Sequence, residues 1–511
     1  MSARKPTTPA PGPLEDYVEQ FDELFAKRSQ REACRRYLEG LLLPMERNKT
    51  LTGLANTEPV VGAQHAVAQK LQWFLSESTW DPAAMNQRRL DLLAKNTSTS
   101  ATSEGVLAID ETGDRKWGNK TAHVGRQYLG SIGKVDNGVV SVHSLWADER
   151  LYYPLEVEPY TPAHWFEKRQ QDPAFRSKPK IALELVEKAV QSDLPFRAVV
   201  ADSAYGGNLG FVEGLEQLEL GYVLALKPSH SWWHKTGEVG SVEEAVQIYP
   251  WQPEAPGVWQ KITRSFRDGH KETWWALEAA AGPYGPEKSQ RLVIVSTDPE
   301  NLPDLTTWYL VTNLAVPDVE QAPEGHRSAA DLTEVVRLYG LRVWVEQSYK
   351  QVKQALGWAQ YQVRSDMAIR RHWQLVCCAF SFCWWSAGFS DSLEFNPAVH
   401  PASSPSGEEK KEPFRAIGLL GRWLFARSAP GWSPGSCCSA TGRRGHSSPR
   451  LLNCKLSWIR LGRVMAFISM SRVNKLLLFN LCRSFLLFRS FFLPPSLSLC
   501  PSLPPHRNPK S

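Results

Sequence analysis

The sequence predicts an α/β fold: a mixed sheet with flanking helices, interrupted by a β-rich insertion and preceded by a helical N-terminal domain. Three observations predict it. The runs Gly105–Asp110 and Phe196–Asp202 are short, apolar and β-branched, bounded by polar or turn residues, so each reads as a buried strand that ends in an acid. Gly125–Ile132 and Gly138–Leu145 read as hairpin-linked strands, and Lys178–Gln191 has helical periodicity. Residues 339–356 place polar and apolar side chains on two separate stripes of a helix.

In chain order, the Pro-rich residues 1–13 carry no apolar core of a secretory signal and read as disordered. Residues 14–95 form the helical domain, with Tyr17, Phe21, Leu24 and Phe25 on the apolar face of a packed helix pair. The Ser/Thr run within 96–104 reads as a flexible linker. Residues 105–226 hold the first part of the core, closing with the apolar strand Gly221–Leu226. Residues 227–328 are the insertion, with strand-like Val258–Arg264, Glu272–Leu277, Arg291–Ser296 and Trp308–Asn313. Residues 329–390 return to the core, and residues 391–511 are a separate tail.

Three distant acids point to chemistry: Asp110, Asp202 and Glu346. A buried Asp at a strand end is costly unless it is paired or metal-bound, although both aspartates could equally cap a following turn or helix. A single helix over 339–356 would align Tyr339, Arg342, Glu346 and Lys353 on one face, with Leu341, Trp344, Val345, Val352 and Ala355 beside them to pack on a sheet. A solvated i, i+4 pair of Arg342 and Glu346 reads the same spacing without any ligand. Mg²⁺ favours hard oxygen ligands and keeps several waters, so a few carboxylates converging on a phosphate suffice. A two-acid hydrolase of the glycosidase kind leaves the Tyr-Arg-Glu-Lys stripe unexplained.

Together, IDETG at 109–113, VVADSAYG at 199–206 and the Tyr-x2-Arg-x3-Glu-x6-Lys spacing from Tyr339 to Lys353 resemble the DDE-type insertion-sequence transposases, in their Tyr-Arg-Glu-Lys branch. Val61–His65 and Leu75–Asp81 resemble that family's helical entry to the catalytic domain, so the likeness spans roughly residues 20–390. The resemblance implies an RNase H-like core with Asp110, Asp202 and Glu346 as catalytic metal ligands. It implies two Mg²⁺ ions, with Mn²⁺ able to substitute, and Tyr339, Arg342 and Lys353 as DNA-binding residues. Its partners would be double-stranded DNA at transposon terminal inverted repeats and at the target, with a homodimer in the synaptic complex, in the cytoplasm on the nucleoid. It also places end-DNA recognition in the N-terminal helices, where a plain scaffold reads the residues equally well.

Charge is distributed unevenly. The formal +6 of the whole chain arises after residue 390, where 17 Lys+Arg face 5 Asp+Glu; the first 390 residues hold 42 against 48. DNA contact in this acidic body therefore requires local basic stripes, for which Arg342 with Lys350 and Lys353, Arg364 with Arg370 and Arg371, or Lys27-Arg28 with Arg35-Arg36 are candidates. From Pro413 to Ser511, 99 residues contain no acid at all, incompatible with ordinary composition and suggestive of out-of-frame or read-through translation. A tail of that origin admits a second reading of the chain, an inactive remnant that at most binds DNA. Lys475, Asn480, Arg483 and Arg489 interrupt the apolar run near its end, arguing against stable membrane insertion and leaving at most a surface-lying segment. Cys34, Cys377, Cys378 and Cys383 lack metal-binding spacing and read as buried thiols.

Overall fold

A computed structural model describes residues 6–393 apart from 45–46, 60, 234–238, 267–269, 280–289 and 318–327. The tail lies outside the described residues beyond 393, and with it the expectations placed on it.

The sheet is built outward from β1 (Val106–Arg115), whose apolar first half is fully buried. Here β2 (Gly125–Leu129), β3 (Lys134–Ala147) and β4 (Tyr152–Tyr160) form the antiparallel side: β3 pairs with β1 over its whole length, while β2 and β4 pair with β3. On the other side, β5 (Ala198–Ala201) and β6 (Tyr222–Ala225) run parallel to β1. The order β4-β3-β1-β5-β6, with β1 in the middle, is the RNase H-like arrangement that the resemblance implies; its third antiparallel strand is β4, which the sequence reading did not mark, while β2 only extends the hairpin with β3.

Two crossovers make the parallel pairs possible. From β4 the chain returns through α6 (Lys178–Gln191), which buries Ile181, Leu185 and Val186. From β5 it returns through α7 (Ser203–Gly206) and α8 (Leu209–Gln217), which buries Phe211, Val212 and Leu215.

The insertion contributes a small hairpin, β7 (Ser231–Trp233) with β8 (Val239–Ser241), and the short helix α9 (Val242–Val246). Its longer strands β9 (Gln260–Ser265), β10 (Lys271–Ala279), β11 (Arg291–Ser296) and β12 (Thr307–Thr312) join the core sheet. Pairing of β12 with β6 extends that sheet to ten strands. Trp232 and Trp274 are buried, Trp275 packs on Trp251, and Trp233 is exposed.

The N-terminal helices are α1 (Pro13–Glu19), α2 (Arg28–Leu42), α3 (Leu51–Leu54), α4 (Ala66–Ser76) and α5 (Pro82–Lys95). Residues 96–104 fold back on α5, where buried Thr99 donates its hydroxyl to the Leu93 carbonyl at 2.7 Å. The late helices are α10 (Leu332–Gly340), α11 (Val343–Gln354) and α12 (Asp366–Leu393). α12 joins the N-terminal helices to the sheet: Tyr17 donates to the Cys378 carbonyl, Arg371 to those of Leu75 and Trp80, and Arg89 to Ser381. The four cysteines described are buried free thiols. No helix among the described residues is long and apolar enough to cross a membrane.

Basic stripes anticipated for DNA are largely consumed by this packing. Arg35 is buried against Glu15 and Asp22, Arg370 binds Glu158 and Asp366, and Arg371 caps carbonyls inside the fold. These arginines hold helices and sheet together.

His372 is central to the α12 junction. One ring nitrogen meets the Tyr37 hydroxyl at 2.8 Å, and the other faces the Gly357 and Trp358 carbonyls at 3.2 Å. Burial, with Lys116 nearby, lowers its pKa from 6.5 to about 4. A folded pKa below the unfolded one means its contribution is complete above about pH 6.5 and is lost as pH falls toward 4. Urea midpoints should therefore fall between pH 6.5 and 4.5, and less steeply in His372→Gln than in the wild type; equal slopes would contradict this assignment.

Candidate active site

Strand register brings the two aspartates together. β1 and β5 run parallel and in step, with Ile109 opposite Ala201, so Asp110 and Asp202 both emerge one residue beyond the last matched pair. β5 ends there, and Asp202 turns the chain into α7 by accepting the Ala204 amide at 3.0 Å. Its capping role and its place in the acid cluster coexist, because Oδ1 caps while Oδ2 faces Arg342 at 3.9 Å. Gly206 permits the close approach of α7 to β6, since a Cβ there would fall 2.0 Å from the Ala225 carbonyl oxygen.

The third acid arrives on α11, which packs on β1 and β4 through Val345, Ser348 and Val352, with Trp344 stacked on Tyr152 at 4.8 Å. The single helix predicted over 339–356 is broken: α10 ends at Gly340 and α11 begins at Val343, with tight i−3 hydrogen bonds across the junction. Gly340 admits the Arg264 guanidinium, which would lie 2.5 Å from an added Cβ and sits against the Trp274 and Trp308 rings. Tyr339 therefore belongs to α10, 9% exposed and edge-on to Trp308 at 5.0 Å, and does not continue the α11 stripe.

Arg342, at the N-cap of α11, connects the acids. Its Nη2 lies 3.2 Å from Asp110 Oδ2 and 3.9 Å from Asp202 Oδ2, while Nη1 lies 3.0 Å from Glu346 Oε1. The i, i+4 pair foreseen with Glu346 exists, but the same guanidinium also spans both aspartates. Burial pushes Asp110 up to about 7; Arg342 pulls it down and Asp202 adds to the rise. Burial likewise raises Tyr339 to about 12. Glu346 remains the most open of the three, its side chain 59% exposed.

Hard carboxylate oxygens at the mouth of a buried strand are chemically suited to Mg²⁺ or Mn²⁺. In this conformation, however, no group of three His, Cys, Asp or Glu among the described residues is close enough to share one ion. The guanidinium occupies the centre, and its buried Nε has no hydrogen-bond partner. The donor types fit divalent cations provided Arg342 yields its place.

Lys353 lies two turns beyond Glu346 on α11, beside Gly113 and Asp114 of β1. Its ammonium is paired with buried Asp114 at 2.7 Å and donates to the Gly113 carbonyl at 3.1 Å. Sequence reading missed Asp114 and Glu111. Asp114 stands four residues after Asp110, so strand alternation signals a shared face. Glu111 accepts from Tyr205 at 2.8 Å and pairs with Lys178, tying the first acidic motif to α7 and α6.

The RNase H-like sheet thus gathers acids beside its central strand, where β5 ends. The profile of the DDE superfamily endonucleases matches residues 20–278, taking in Asp110 and Asp202 and ending before Glu346. A probable transposase for insertion sequence element IS701 from Microchaete diplosiphon is 33% identical over 364 residues, covering 71% of this chain and 85% of that one. The chain belongs to the DDE superfamily of endonucleases and is an insertion-sequence transposase by family. The solved piggyBac transposase synaptic complex with hairpin DNA is also similar, at 11% identity and a TM-score of 0.38 over 84% of this chain and 77% of that one.

Removing one partner of a buried ion pair leaves the other uncompensated, at a cost of about 3–5 kcal/mol. Lys353→Met should lose about that much by urea denaturation, and the Lys353→Met/Asp114→Asn pair should recover part of it. Strictly additive losses would show that the two side chains do not act together.

Proposed function

We propose that this chain cuts the ends of its element and joins them to target DNA, with Asp110, Asp202 and Glu346 as the catalytic carboxylates and as ligands of two divalent cations, Mg²⁺ with Mn²⁺ able to substitute. The observation that carries this reading is the convergence of three sequence-distant acids on one guanidinium. When bound, such cations supply Lewis acidity to a phosphodiester and lower the pKa of an attacking hydroxyl.

The chain's own groups do the positioning. Asp110 is fixed by its strand, by the Glu111 amide at 2.7 Å and by burial, so it offers an oxygen in a fixed position. Asp202 is held by its cap, and Glu346 projects from the first turn of α11 into the open cleft. Arg342, once displaced from the acids, presents a planar fork suited to a phosphate. Water attack on phosphorus breaks the P–O3′ bond and frees a 3′-hydroxyl. In-line attack by that hydroxyl on a target phosphate forms the new P–O bond and expels a target 3′-oxygen.

Tyr339, Arg342 and Lys353 are assigned to the DNA side of the Tyr-Arg-Glu-Lys branch on their spacing. Lys353 is paired with Asp114 and Tyr339 packs on Trp308, contacts that also set Arg342 and Glu346 in place. The partners are double-stranded DNA at the terminal inverted repeats and at the target, a homodimer joins the two ends, and the site of action is the cytoplasm, on the nucleoid.

Glu346→Gln keeps the side-chain volume and removes the charge. It should abolish Mg²⁺-dependent cleavage of a duplex carrying the element's end while changing DNA affinity less than about threefold, within the scatter of a surface substitution. Cleavage by the variant at the wild-type rate would overturn the assignment. A wild-type chain that binds but never cleaves would mark an inactive remnant.

A further inference from the structure

The body of the chain is acidic, yet the stretch from Arg115 to Val135 holds five Lys/Arg and no Asp or Glu. This segment is the loop after β1 and the β2–β3 hairpin, none of which the catalytic assignment uses. Lys120, Arg126 and Lys134 are exposed, and none of them pairs with a described carboxylate. Two aromatics share the exposed surface: Trp117 at 82% and Tyr128 at 59%. Cations that no described carboxylate pairs, beside flat exposed rings, match a ligand that offers both negative charge and planar or apolar faces.

The element is built to keep its position. Arg115 stacks on Trp117 at 4.2 Å and pairs with Asp136 at 3.1 Å. Asn137 donates to the Lys116 and Gly118 carbonyls at 2.8 Å, bracing the Trp117 loop against β3. Lys116 reaches the Ala359 carbonyl at 3.0 Å and lies over the Tyr361 ring, while the Ala122 amide donates to the Arg364 carbonyl at 2.8 Å. The loop is thereby pinned to the segment that follows α11, the helix carrying Glu346.

The hairpin continues the β1 sheet edge beyond the Asp110 end of the site, with Arg115 opposite Gly138 of β3 and Ser131 donating to the Gly113 carbonyl at 2.7 Å. We propose that this face, built from Lys120, Arg126, Lys134, Trp117 and Tyr128, grips duplex DNA to one side of the scissile phosphate. The cations meet backbone phosphates, and Trp117 supplies a flat apolar surface against sugar or base. The inference rests on the proposed function, since it presumes that DNA lies across Asp110.

The test uses the full chain, EDTA to prevent cleavage, and a fluorescein-labelled 40-base-pair duplex of arbitrary sequence, with affinity measured from 50 to 200 mM salt. Lys120→Ala/Arg126→Ala/Lys134→Ala should reduce the slope of log affinity against log salt by about 2–3, near 0.9 for each phosphate no longer neutralised, and weaken binding by about tenfold or more at low salt. Trp117→Ala should weaken binding without changing that slope. A control triple of exposed cations elsewhere, Lys180→Ala/Lys188→Ala/Lys261→Ala, should leave the slope within error. An unchanged slope in the hairpin triple, or an equal fall in the control, overturns the proposal while leaving the catalytic reading intact. A shift to smaller species in sedimentation velocity with DNA binding unaltered also overturns it, marking the face as an interface between copies. Failure of the wild type to bind the duplex at all would bring down both readings.

Discussion

Three carboxylates crowded around the end of one strand repel one another, and the fold tolerates them because Arg342 supplies positive charge among them. Its two terminal nitrogens reach Asp110, Asp202 and Glu346 together. Without a counter-charge, burying Asp110 would cost several kcal/mol or force its protonation, and burial does move its pKa toward neutrality. The geometry of the site is that of an arginine clasp, and the clasp explains how the three acids stay near one another.

Everything around the clasp fixes one of its four members. In-step parallel pairing of β1 with β5 sets the two aspartates side by side, and Glu111 with Tyr205 ties β1 to the turn that follows Asp202. The Lys353–Asp114 pair pins α11 along β1, so Glu346 and Arg342 enter from a helix that cannot easily slide. Behind this, α12 bolts the N-terminal helices to the sheet with buried arginines and His372. The arginines that composition offers for DNA binding serve this internal purpose, which shifts attention to cations that the packing leaves outside, such as those of the β2–β3 hairpin.

Much of the sheet was legible from short β-branched runs, because strand burial leaves a local signature; β5 ends at its acid as read, whereas β1 runs five residues past Asp110, since its pairing with β3 continues to Arg115. The edge that the inserted strands join was not legible, since alternation identifies a strand without naming its neighbour. The 3.6-residue spacing placed Arg342, Glu346 and Lys353 correctly on one helix, yet it ran on through Gly340, where the packing of Arg264 between two tryptophans breaks the helix. Long-range pairing was equally hidden: nothing local in Lys353 announces Asp114, and nothing in a run of surface-type arginines says which ones fold inward. Sequence shows which groups are present; packing between remote segments decides which of them remain available.

The proposed function requires that Arg342 exchange places with divalent cations at the three carboxylates. Crystals of the protein soaked in Mn²⁺, with anomalous scattering measured at the manganese edge, test this directly. Density bounded by Asp110, Asp202 and Glu346, with the guanidinium swung away from all three, is the expected result. Manganese bound elsewhere, with the Arg342 clasp unbroken at saturating concentration, would contradict it.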